Sequence, residues 1–147
     1  MTFKTLLLLT LVGAVSAGCA TTDRSIIERK HYGDGEKTVG YTQAVRVGNT
    51  LYLAGITGQG ETQIDQLNDI YKTIGKILTD YNATSRNIVK EVIYTTNIDE
   101  LKAATDARKN HYQNADYPTS TWVQVERLYD PRHKIEIDVT VQLSTQK

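Results

Sequence analysis

Few residues of this chain combine the type and the spacing that chemistry needs. His31, His111 and His133 are scattered without metal-ligand spacing, and no histidine stands near Ser120 in sequence to act as its base. Neither a metal centre nor a serine hydrolase is expected, and nothing calls for a cofactor. Glu136 is a carboxylate set between Ile135 and Ile137, a spacing that points it to the polar face of a strand. On such a face a carboxylate commonly does no more than decorate the solvated side. The one cysteine, Cys19, follows Ser16-Ala17-Gly18. A lone thiol forms no intrachain disulfide.

Cys19 ends a segment with the anatomy of a secretion signal. Lys4 is followed by the mainly apolar run 6–15 and then by small residues. The run is too short to span a hydrocarbon core of ~30 Å. Ala17-Gly18-Cys19 resembles a lipobox, so residues 1–18 are expected to be removed and Cys19 lipidated, anchoring the chain to the envelope. Ser16 departs from the commoner Leu or Val, and Ala20 after the cysteine leans toward the outer membrane. Ordinary cleavage after Ala17 is the other reading. Loss of Lys4 leaves 16 basic residues of 17 against 17 acidic ones. That balance gives no field for nucleic acid.

Residues 19–36 are mostly polar and read as a tether, with one domain over 37–147. Val45, Val47, Leu51 and Leu53 alternate on either side of Gly48-Asn49, which predicts a hairpin with a type II′ turn. Ile64, Leu67, Tyr71, Ile74, Leu78 and Tyr81 then fall three and four apart, a helical stripe with Thr62 as N-cap. Residues 88–96 form a third strand. Asn97 or Asp99 caps a second helix to about Tyr112, with Leu101, Ala104 and Arg108 along one side. Residues 119–125 and the strictly alternating 135–143 complete the set. The order ββαβαββ predicts an α+β fold: a mixed sheet with both helices on one face. The uncovered face must meet water or another subunit.

Three blocks resemble the RidA (YjgF/UK114) family, in its order and spacing. They are VGYTQAVRVGNTLYLAG at 39–55, NIVKEVIYTTNIDEL at 87–101, and YPTSTWVQVERL with KIEIDV at 117–128 and 134–139. The resemblance implies a chorismate-mutase-like fold assembled as a homotrimer, with small-molecule clefts between subunits. It also implies hydrolysis of reactive enamines and imines, such as 2-aminoacrylate, to a keto acid and ammonia. In that scheme an arginine fork grips the substrate carboxylate and a glutamate positions the attacking water.

Residue by residue, Tyr41 matches the tyrosine that lines the cleft and Gly55 the glycine where the second strand approaches the ligand carboxylate. Glu136 matches the water-holding glutamate, with Asp138 as the fallback because the preceding link carries an extra residue. The departure is at Ser120. The family pattern of proline, small residue, arginine, serine, cysteine reads here Pro118-Thr119-Ser120-Thr121-Trp122. A hydroxyl offers one donor and no charge where a guanidinium offers a planar pair. Arg127 is an odd number of residues away, on the opposite face of a regular strand; Arg46 and Arg132 are candidates only if the fold brings them close. Trp122 shares the face of Ser120, as a ligand platform or as interface packing. Tyr41 is likewise either a cleft residue or packing.

Two functions from different classes therefore stand: a divergent imine or enamine deaminase, and a non-catalytic trimer that binds a small ligand or scaffolds a partner. A ribonuclease reading, also attached to the family, is the weakest for a chain without a basic stripe.

Overall fold

A computed structural model of the protein describes residues 26–113 and 116–144. The expected signal segment 1–18 and Cys19 lie outside the described residues. After two N-terminal elements that the sequence did not predict, alternating and helical periods build the rest in the expected order. Strands β1 (Ile27–Lys30) and helix α1 (Asp34–Val39) come first, then β2 (Ala44–Val47) and β3 (Thr50–Thr57). Helix α2 (Gln63–Asp80), β4 (Ile88–Thr95), helices α3 (Ile98–Ala103) and α4 (Thr105–His111), β5 (Thr119–Gln124) and β6 (Ile135–Gln142) follow.

The β2–β3 turn has Gly48 at φ 57°, the positive value that a type II′ turn requires at its first central residue. Thr62 caps α2 by accepting from the Asp65 N–H. The buried side of α2 is rotated from the predicted stripe. Leu67, Ile70, Tyr71, Ile74, Ile77 and Leu78 are inside, whereas Ile64 is 45% exposed. The second helix is broken in two at Ala104.

The six strands pair in the order β1-β2-β3-β6-β4-β5. Only β4 and β5 run parallel, because α3 and α4 carry the chain back between them. Strand β6 lies central and sends Ile135, Ile137, Val139 and Val141 into the core beneath the helices. Glu136, Asp138 and Thr140 face the other way, onto the side that no helix covers. On β4, Glu91, Ile93 and Thr95 point to the helices.

Part of the stretch expected as a tether is folded instead. Strand β1 pairs with β2 through the backbone, and all four of its side chains are exposed, so it carries no hydrophobic alternation to read. The Glu36 carboxylate anchors the segment. It is 4% exposed and accepts from the backbone N–H groups of Tyr32, Gly33 and Gln43, with His31 Nδ1 2.8 Å away. Lys30 and Tyr32 also bond Asp80 at the end of α2.

Candidate functional site

The first group of residues gathers where β3 meets β6. The β3–β6 register shifts between Leu53 and Ile56, leaving Gly55 at the irregularity. A Cβ built on Gly55 would overlap Oε1 of Glu136, so only glycine lets the carboxylate lie flat on the strand. Thr57 of β3 and Tyr94 of β4 flank Glu136 on either side. Burial, with help from the Asp138 charge and against His133, raises the Glu136 carboxyl above its usual range. Asp138 sits two residues on, beside the Tyr94 hydroxyl at 3.4 Å; Gly55 abuts Glu136 and not this fallback.

Tyr41 follows Gly40, whose φ of 90° ends α1 in the left-handed region. Its phenol is 41% exposed. Burial, then the charges of Glu36 and Glu136, push its pKa upward. Tyr41, Gln43, Gly55 and Thr57 line one side of an open groove of about 720 Å³, and Lys76 and Asp80 of α2 line the other. Glu136 does not line this groove itself; it touches Gly55 at the groove's edge and lies close enough for its charge to act on Tyr41.

Ser120 and Trp122 are not with them. The parallel register sets Ser120 beside Glu91 and Trp122 beside Ile93, hence on the helix-covered side of the sheet, while Glu136 faces away from it. Ser120 Oγ donates to Glu91 Oε1 at 2.7 Å, and Trp122 Nε1 donates to Ser120 Oγ at 2.8 Å. Within one subunit Trp122 therefore cannot fill a cleft at Glu136.

Glu91 is fully buried. Besides Ser120 it accepts from Arg108 Nε and from Tyr112 Oη, with Tyr71 Oη at 3.4 Å. Proximity to this carboxylate and burial raise both phenols, burial first. Helical spacing puts Arg108 on one side of its helix but gives it no partner, so this cluster is hidden in the sequence. One signal was available: Glu91 shares the phase of Ile93 and Thr95, and a carboxylate at a core position demands donors or a cation. None of the three candidate arginines stands at Glu136. Arg46 bonds the Gly48 carbonyl and lies 3.7 Å from Glu28, Arg132 pairs with Asp130, and Arg127 is exposed. Among the described residues no cluster of three or more His, Cys, Asp or Glu side chains has the geometry to hold a metal.

The family model described as Endoribonuclease L-PSP matches residues 36–143. A RutC family protein of Buchnera aphidicola subsp. Baizongia pistaciae is 31% identical over 121 residues, 77% of this chain and 94% of its own. A 2-iminobutanoate/2-iminopropanoate deaminase of Capra hircus is 26% identical over 96 residues, 60% of this chain and 69% of its own. Among solved structures, a Mycobacterium tuberculosis member of the YjgF/YER057c/UK114 family superposes with a TM-score of 0.75 at 27% identity, covering 80% of this chain and all of that one. The mixed sheet, the order of its elements and these matches together make the chain a member of the RidA/YjgF (endoribonuclease L-PSP) family.

Proposed function

We propose that the protein hydrolyses small reactive imines or enamines to a keto acid and ammonia, in a site completed between copies of a homotrimer. An enamine first takes a proton at carbon and loses one from nitrogen to become the imine. Water then adds to the C=N carbon as the π pair moves to nitrogen and one water proton follows it there. The carbinolamine passes its hydroxyl proton to nitrogen as the C–N bond breaks, leaving the keto acid and ammonia. The Glu136 carboxylate, seated on Gly55, orients the water; Tyr41, close enough to feel the Glu136 charge, lines the neighbouring groove that Gly55 also borders. The seat of Glu136 on Gly55 is the observation that carries the reading, and the goat relative's name supports imines as the substrate class. Separation of Ser120 and Trp122 from Glu136 favours a site shared between subunits, since the edge strand β5 is free to approach a neighbour. Lipidation of Cys19 would hold the trimer to the envelope, facing the periplasm from the outer membrane.

A non-catalytic ligand-binding or scaffolding trimer is the second reading. It is favoured by Ser120, which stands where the family has its arginine and gives its hydroxyl to Glu91. Nucleic acid is a poor partner for a chain with 17 basic and 17 acidic residues.

The test is release of 2-oxobutanoate from 2-iminobutanoate generated in situ. Turnover is expected from the native protein and should fall ~100-fold or more in Glu136→Gln, as for loss of a positioned general base. No turnover in the native protein or in Ser120→Arg leaves the binding reading. Radiolabelled palmitate should mark the native chain but not Cys19→Ala, and sedimentation should return a trimer.

A further inference from the structure

Arg108 is the least expected charge in the protein. It is 8% exposed, and a guanidinium that deep needs its donors met. Of its five N–H groups, Nε alone is spent, on Glu91; no hydrogen bond joins either Nη nitrogen to a described residue. Those nitrogens are not sealed in, because His111 Nε2 is the only fully buried side-chain polar atom without a partner among the described residues. The side chain keeps about a tenth of its surface accessible, and its neighbours Ser120 and Tyr117 are exposed. Three rings frame it. The guanidinium carbon lies 5.2 Å from the Tyr112 centroid, 5.6 Å from Tyr117 and 5.8 Å from Trp122, cation–π distances that hold the cation in place.

We infer that Arg108, carried on α4 rather than on β5, is an anion-gripping group: its two Nη nitrogens take the carboxylate of a small organic acid, with Tyr117 and Trp122 as flat walls for the rest of the molecule. The Glu91–Arg108 pair is neutral as a whole, and its partner hydroxyls leave Glu91 satisfied. Such a site suits a monoanion with a planar two-donor match better than a phosphate dianion, which calls for more positive charge. Ser120 is then no vacancy. A guanidinium has moved from the strand to the helix above it, and Ser120 helps hold the carboxylate that orients it. Placing the gripped acid against a neighbour's Glu136 rests on the hydrolase reading above, but the grip itself can be measured without turnover.

Trp122 is the only tryptophan of the chain, so its emission reports on this site alone. The purified full chain is titrated with 2-oxobutanoate and, separately, with inorganic phosphate. A saturable change is expected with the keto acid, weakened about tenfold or more in Arg108→Gln, as for loss of a charge-assisted pair. Arg108→Lys, which keeps a charge for Glu91 but loses the fork, should weaken it by less. Arg132→Gln should leave it unchanged. If Arg108→Gln fails to fold, the double variant Glu91→Gln/Arg108→Gln removes both charges together and should show the same loss. Equal affinity in native and Arg108 variants, loss in Arg132→Gln instead, phosphate binding as tightly as the keto acid, or no saturable change in the native protein would each overturn the inference. Arg108-dependent binding without turnover would uphold the grip and sink the hydrolase.

Discussion

The carboxylate of Glu136 occupies the space that a side chain on Gly55 would need. Strand β3 is irregular at that point, and the glycine has no positive φ to explain it. Close approach alone accounts for the residue, and it ties a backbone position on one strand to a reactive group on the next.

Gly55→Ala should separate function from stability. Its Cβ meets the far end of a flexible side chain, which can rotate away at about 1 kcal/mol or less. Turnover should fall with Glu136 displaced. Gly58→Ala is the contrast: its Cβ would strike the backbone carbonyl of Gln66 in α2, which cannot rotate, and should cost about 1–3 kcal/mol. Urea unfolding and imine hydrolysis on both variants check the pair. Equal destabilisation of the two would refute it.

Burial raises the Glu136 carboxyl above its ordinary value of 4.5. The fold thus binds this proton more readily than the unfolded chain. The group costs stability as pH rises past 4.5, and the cost is complete above its folded value. In the proposed hydrolysis the ionised form of Glu136 orients the water, so the acid limb of the pH–rate profile should lie above pH 4.5. Glu136→Gln should remove its share of the pH dependence of stability, read by thermal melts across pH 4–7.

Glu36 has the opposite sign. Burial would raise its carboxyl, but the N–H groups of Tyr32 and Gln43, then His31 and Gly33, outweigh that and lower it. Its stabilisation is therefore present above pH 4.5 and is lost as pH falls through the depressed folded value. Glu36→Ala removes the acceptor of these bonds and should cost about 2–4 kcal/mol. Amide exchange should quicken first at β1; unchanged protection there would show that strand pairing, not Glu36, holds the segment.

His111 stacks on Tyr71 with centroids 4.1 Å apart, and its Nε2 is buried without a partner. Burial, with Arg108 and against Glu91, pushes it down to about 4 from 6.5. The fold resists protonating it, so stability falls as pH drops from about 6.5 and the loss is complete below about 4. His111→Phe should keep the stacking and flatten that slope. A slope unchanged in the variant assigns the acid sensitivity elsewhere.

Strand alternation at 135–143, the Gly48-Asn49 turn and the Thr62 cap were all legible in sequence, because each depends on residues within a few positions of one another. The family blocks were legible for the same reason. Strand β1 was not, since exposed side chains on an edge strand leave no apolar period and the backbone pairing that holds it leaves no trace in residue type. Nor could local spacing decide the site. Trp122 and Ser120 do share a face, as a two-residue step requires, but which face that is relative to Glu136 depends on the order β3-β6-β4-β5 and on the parallel register of β4 with β5. Arg108 reaches Glu91 across 17 residues only because α4 crosses over the strand that carries the carboxylate. Residue types and short-range periods set the elements; which charges meet was decided by how the sheet and its helices pack, a long-range outcome that no window along the chain contains.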